Sequence, residues 1–127
     1  MIDVCAAVLI KDGQILLAQR NCDDHNGKWE FPGGKLEANE SPEQCLEREL
    51  NEELSIVTKV GAFVGQSSFD YGNKHICLRA YQVKYLSGEF QCRVHTQIAW
   101  VDPADLLTYD LAEADIPLVP DIQKIFI

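Results

Sequence analysis

The stretch from Pro42 to Leu54, Pro-Glu-Gln-Cys-Leu-Glu-Arg-Glu-Leu-Asn-Glu-Glu-Leu, constrains this chain more than any other. Leu46, Leu50 and Leu54 recur every four residues, a period that brings side chains onto one face of an α-helix. Ser41 stands where an N-cap belongs, Pro42 suits the first helical position, and Gln44 completes a Ser-x-x-Gln capping box. The leucine stripe needs a sheet to cover. On another face Glu49, Glu52 and Glu53 are spaced by three and four, so their carboxylates cluster. Like charges so placed destabilise a helix, and these lie near its C-terminal end, where the macrodipole disfavours anions. An acidic run is ordinarily a solvated face. A hard divalent cation such as magnesium also resolves the conflict, because it prefers carboxylate oxygens. The Pro32-Gly33-Gly34 breaker just upstream favours the cation, since glycine backbone can approach a ligand or metal closely.

Around this helix, short β-leaning runs alternate with turns. Ile2 to Ile10 and Gln14 to Gln19 are strand candidates joined through an Asp12-Gly13 hairpin signal. A polar stretch, Asn21 to Lys28, precedes Trp29-Glu30-Phe31. Val57 to Phe69, Ile76 to Tyr85 and Gln97 to Val101 read as further strands, with a turn at Tyr71-Gly72-Asn73. Asp102-Pro103 opens a short helical turn, and the tail from about Pro117 forms a closing helix. Neither a repeat nor a linker divides the chain. The expectation is one domain over residues 1–127, of α/β (α+β) class, with helices packed on a mixed sheet.

The net charge of −9 speaks against nucleic-acid polymers, whose phosphates are bound by Lys and Arg. A free nucleotide remains compatible if metal cations stand between carboxylates and phosphates. No apolar run approaches the roughly 20 residues a membrane span needs, and no secretory pattern opens the chain. A cytoplasmic protein without membrane partners is expected. Cys5, Cys22, Cys45, Cys77 and Cys92 are odd in number and lack a C-x-x-C pair, so they suggest small buried hydrophobes rather than disulfides or a zinc site.

From Gly34 to Ile56 the chain reads G-K-L-E-A-N-E-S-P-E-Q-C-L-E-R-E-L-N-E-E-L-S-I. This resembles the Nudix box, G-x5-E-x7-R-E-U-x-E-E-x-G-U, with U a bulky aliphatic residue: Gly34, Glu40, Arg48, Glu49, Leu50, Glu52, Glu53 and Ile56 match. Ser55 replaces the last glycine, at the helix exit where glycine eases a left-handed turn. The segments Ile15 to Arg20, Trp29 to Lys35 and Leu111 to Pro117 are similar to the MutT, CTP pyrophosphohydrolase-like branch of that family.

The resemblance implies a mixed sheet sandwiched between helices. It implies metal ligation by Glu49, Glu52 and Glu53 with the carbonyl of Gly33, for Mg2+ or alternatively Mn2+. A water activated at the metal would attack a nucleoside triphosphate, releasing the monophosphate and pyrophosphate. Glu49 is the first choice for orienting or deprotonating that water and Glu52 the second, while Arg48 orients the glutamates through its guanidinium fork. Relatives often carry a further ligating glutamate six residues before the counterpart of Trp100. That position is Val94 here, with Glu89 and His95 out of register, and activity is expected to survive without it.

The implied base pocket draws on Arg20, His25, Glu30, Phe31, Pro32, Gly33, Tyr71 and Asp115. Tyr71 either stacks on a base or packs as a strand tyrosine. His25 lies in a polar loop, where a solvated histidine is the alternative. Asp115 stands where MutT enzymes for oxidised guanine carry asparagine. Ionised, it only accepts hydrogen bonds, for instance from the amino group of cytosine or guanine, unless it merely caps a helix beside Pro117. The expected substrates are cytidine-type nucleotides, oxidised guanine nucleotides such as 8-oxo-dGTP, or both, handled by a monomer or homodimer. A nucleotide-sensing module without hydrolysis, or a Nudix hydrolase for another nucleoside diphosphate derivative, is the alternative.

Overall fold

The computed structural model describes residues 1–20 and 27–127. The helix, α1, spans Pro42–Leu54 as its sequence predicts. The Gln44 N–H donates to Ser41 Oγ at 3.1 Å, and the Ser41 N–H donates to Gln44 Oε1 at 2.9 Å, closing the capping box. Ser55 ends α1 in the left-handed region (φ 61°), and its N–H donates to the Asn51 carbonyl. Leu46, Leu50 and Leu54 are fully buried. Each such leucine contributes about 1.5–3 kcal/mol through loss of apolar contact with water.

The strands are β1 (Ile2–Lys11), β2 (Gln14–Arg20), β3 (Trp29–Glu30), β4 (Gly33–Lys35), β5 (Val57–Asp70), β6 (His75–Ser87) and β7 (His95–Val101). Two 3-10 turns (Pro103–Thr108 and Ile116–Leu118) lead to α2 (Val119–Lys124). Strand order is β3-β2-β1-β6-β5, with β4 also pairing β1 and β7 also pairing β2. β1 runs parallel to β6 and antiparallel to β2 and β4, so the sheet is mixed. Alternation along β1 divides the core. Ala6 and Val8 join Leu17, Leu118 and Ile122 on one side, while Ala7 and Leu9 join Leu16, Leu46 and Leu50 on the other. The sheet is thus enclosed by α1 on one face and the C-terminal turns and α2 on the other. No helix among the described residues is long and apolar enough to cross a membrane.

Two local readings need correction. Gly33 and Gly34, read as a breaker, lie in β4, opposite Ala6 and Cys5 of β1. A Cβ on Gly33 would stand 1.9 Å from the Cys5 carbonyl oxygen, so glycine is required here for strand approach. β7 begins at His95 rather than Gln97, because its register against β2 shifts: Gln19 faces Gln97, but Arg20 faces His95. Of the cysteines, Cys5, Cys45 and Cys77 are buried as expected, Cys92 is exposed, and Cys22 lies outside the described residues.

Candidate active site

The middle of α1, from Cys45 to Glu49, lies against β4. A Cβ on Gly34 would stand 2.3 Å from the Glu49 carboxyl carbon, so a bare backbone at this position lets that carboxylate lie on the strand. Arg48 organises the acidic face. Its Nε and Nη2 donate to the two carboxylate oxygens of Glu40 at 2.7 and 3.0 Å, and its Nη1 donates to Glu49 at 2.7 Å and to Glu52 at 3.1 Å. The Arg48 fork holds the Glu40 carboxyl well below the usual range, at about 2. Glu52 is the outermost of the four box glutamates, its side chain 58 % exposed.

Glu53 sits differently. Burial, and then the neighbouring carboxyl of Glu49, push its pKa up to about 10. A buried carboxyl beside a second one is a site short of positive charge, which is what a divalent cation supplies. The oxygen donors of Glu49, Glu52 and Glu53 therefore fit a hard divalent ion by chemistry. They are not already gathered around one: Glu49 and Glu52 are turned onto Arg48, and no group of three His, Cys, Asp or Glu is assembled as a metal-holding set among the described residues.

From Glu53 a cleft of about 310 Å³ runs past Gly33, Glu30 and Arg20 to Tyr71 and Asp115. The Arg20 Nη1 donates to Glu30 at 3.2 Å. Glu30 also meets Nε2 of His95 at 2.9 Å. At the far end Asp115 Oδ2 accepts from the Phe31 N–H at 3.0 Å. Its side chain makes no cap bond to the following turn, so the capping alternative does not hold. Burial raises the Asp115 pKa well above that of a free aspartate, with the charge of Glu30 adding to the effect. The hydroxyl of Tyr71 accepts from the Ala114 N–H at 3.2 Å, and its ring packs at 4.6 Å from that of Phe69. Tyr71 is thus packed, and it also lines the cleft.

The cleft brings together Arg20, Glu30, Phe31, Gly33, Tyr71 and Asp115 with Glu53. Pro32 does not line it; that residue is buried, and its carbonyl accepts from the Ala7 N–H at 2.7 Å. His25 lies outside the described residues. Val94 is half-exposed, whereas its neighbour His95 is buried against Glu30. Sequence spacing placed His95 out of register, and only the shift in β7 against β2 brings it in.

The NUDIX domain family model matches residues 1–122. The chain is 45% identical over 120 residues to the CTP pyrophosphohydrolase of Escherichia coli, covering 94% of this chain and 89% of that protein. It is 36% identical over 125 residues to a putative 8-oxo-dGTP diphosphatase 2 of Mycobacterium tuberculosis, covering 95% and 87%. Among solved structures, the solution structure of the E. coli ORF135 protein superposes with a TM-score of 0.89 at 41% identity, covering 99% of this chain and 91% of that one.

Proposed function

The chain belongs to the Nudix family and is a hydrolase of phosphorus-containing anhydrides, and from that premise we propose that its single domain is a magnesium-dependent nucleoside triphosphate pyrophosphohydrolase. It releases a nucleoside monophosphate and pyrophosphate from cytidine-type or oxidised guanine nucleotides, or from both. The observation that carries this reading is one cleft with a buried carboxyl at each end, Glu53 beside the acidic face of α1 and Asp115 beside the Phe31 backbone. One end suits a metal and phosphates, and the other suits a base.

Glu49, Glu52, Glu53 and the Gly33 carbonyl would hold Mg2+ (or Mn2+), which would supply neutralisation of charge on the phosphoryl oxygens and acidification of a water. For Glu49 and Glu52 this means leaving the Arg48 guanidinium, which otherwise holds the two carboxylates side by side. Glu49 takes the proton from the attacking water, with Glu52 as the second choice. Arg20 and Glu30 flank the middle of the cleft, and the ring of Tyr71 offers a face to the base.

Asp115 reads the base. Burial favours its protonated form, which donates as well as accepts, as an asparagine amide would. The accept-only argument for cytosine therefore loses force, and the names of the relatives, CTP pyrophosphohydrolase and 8-oxo-dGTP diphosphatase, span the same two bases.

The test is a pyrophosphate-release screen over CTP, dCTP, 5-methyl-dCTP, dGTP, 8-oxo-dGTP, ADP-ribose and a dinucleoside tetraphosphate, with and without magnesium. Magnesium-dependent turnover of a triphosphate is the expected result. Turnover only of ADP-ribose or the dinucleotide would reassign the substrate class, and binding without turnover of any compound would make the chain a nucleotide sensor.

A further inference from the structure

Resting on the reading that Glu53 holds a divalent ion, we propose that Nδ1 of His95 is a nitrogen ligand of the same ion, which gives the site a mixed carboxylate and imidazole donor set.

His95 opens β7 at the register shift, opposite Arg20, with exposed Thr96 as the extra residue. Its side chain is only 2% exposed. The two ring nitrogens face different carboxyl groups. Nε2 lies 2.9 Å from Glu30 Oε2; in the neutral tautomer that donates from Nε2 to this carboxylate, Nδ1 presents a lone pair. That Nδ1 is buried and has no hydrogen-bond partner among the described residues, a condition folded proteins rarely leave unexplained.

The nearest acidic oxygen to which the structure pairs it is Glu53 Oε1, at 4.0 Å. This is too long for a hydrogen bond. It suits two donors on one ion: with ligand distances of about 2.1 Å, adjacent donors stand about 3 Å apart and opposite ones about 4.2 Å. The contact to Glu30 completes the pattern, because a ligating histidine almost always gives its other N–H to a carboxylate that fixes its tautomer. Glu30, His95 and Glu53 thus form a line from the middle of the cleft to the acidic face of α1. A nitrogen donor shifts preference from Mg2+ toward Mn2+ and later transition ions, for which imidazole is the better ligand.

Pulsed electron paramagnetic resonance on the Mn2+-loaded chain tests this without reference to turnover. The expected result is modulation from a directly bound nitrogen, which changes on 15N-histidine labelling and vanishes in His95→Gln. Glutamine keeps an amide donor for Glu30 but has nothing at the Nδ1 position. By calorimetry His95→Gln is expected to bind Mn2+ about 10- to 100-fold more weakly, the range for a perturbed ligand shell, and Mg2+ with a smaller loss. Mn2+ bound by the unmodified chain without a histidine nitrogen signal, or with a signal that persists in His95→Gln, overturns the proposal and leaves the Glu53 reading standing. Failure of the unmodified chain to bind Mn2+ at all overturns that reading, and the proposal with it.

Discussion

The two ends of the cleft are built in opposite ways. The acidic end comes from one continuous stretch, Gly34 to Ile56, where a capped helix sets the spacing of Glu49, Glu52 and Glu53 and one arginine ties Glu40, Glu49 and Glu52 together. The far end, which we assign to the base, is gathered from Phe31, Tyr71 and Asp115, on segments far apart in the chain. Each end holds one carboxyl raised by burial, Glu53 and Asp115, but only the acidic end has a guanidinium that holds another, Glu40, low. A local end can carry a charge-dense chemistry in many contexts, whereas a gathered end can change its ligand by changing one side chain.

If this division is right, the deepest cut comes from Glu53→Gln. We expect kcat to fall by about 10³-fold or more, with the metal affinity lost, while relative rates among the surviving substrates stay fixed. A pyrophosphate-release assay with a metal titration reads both. A changed substrate ranking would show that the two ends are not separable. Next in size is Arg48→Lys, which keeps a charge but not the fork that spans Glu40, Glu49 and Glu52. We expect a loss of about 10- to 100-fold in kcat with KM for the nucleotide little altered. A loss confined to KM would move Arg48 to the substrate side.

The same division explains what could be read in advance. The limits of α1 were legible to the residue because Ser41, Pro42, Gln44 and the leucine stripe act within the helix itself. The strand character of Gly33 to Lys35 was not, because it depends on contact with Cys5 and Ala6, far off in sequence. His95 was missed for a similar reason: the register shift opposite Arg20, invisible in β7 alone, turns an offset position into a buried one. Asp115 was proposed from resemblance, but the rise in its pKa comes from burial that no local pattern reports.

Asp115→Asn probes the base end, with a smaller effect of definite sign. The folded-state pKa of Asp115 lies well above its ordinary value of 3.8. The folded protein therefore holds this proton more tightly than the unfolded chain does. The stability it confers is full below the unfolded value and is lost as pH rises from there toward the folded value. The amide of the variant does not titrate. We expect urea midpoints of the variant to fall less between pH 4 and pH 8, with a gain on the order of 1 kcal/mol at the upper end. The ratio of kcat/KM for CTP and 8-oxo-dGTP should change with it; an unchanged ratio removes Asp115 from base recognition. Glu40 sets the contrasting sign: its lowered pKa confers stability above the unfolded value of 4.5 that is lost as pH falls from there through about 2.

The smallest effect is expected at Ser55, which tests whether the local end is as self-contained as its sequence suggests. Ser55 occupies the left-handed region at φ 61°, where a side chain is disfavoured by roughly 1–2 kcal/mol and glycine is not. Two terms oppose the gain. The Arg93 Nε donates to Ser55 Oγ at 2.8 Å, a surface contact worth about 0.5–1 kcal/mol, and glycine loses more backbone freedom on folding. Ser55→Gly should therefore stabilise the chain by no more than about 0.5 kcal/mol, read as a shift of the thermal midpoint. Arg93 also ties its own N–H to the Glu53 carbonyl at 3.1 Å, so its segment leads from the helix exit to His95 two residues on. If Ser55→Gly changes kcat while leaving the ratio for CTP and 8-oxo-dGTP alone, the exit turn positions the acidic end through this segment. If neither moves, the serine is only a tolerated substitute for glycine at the end of α1.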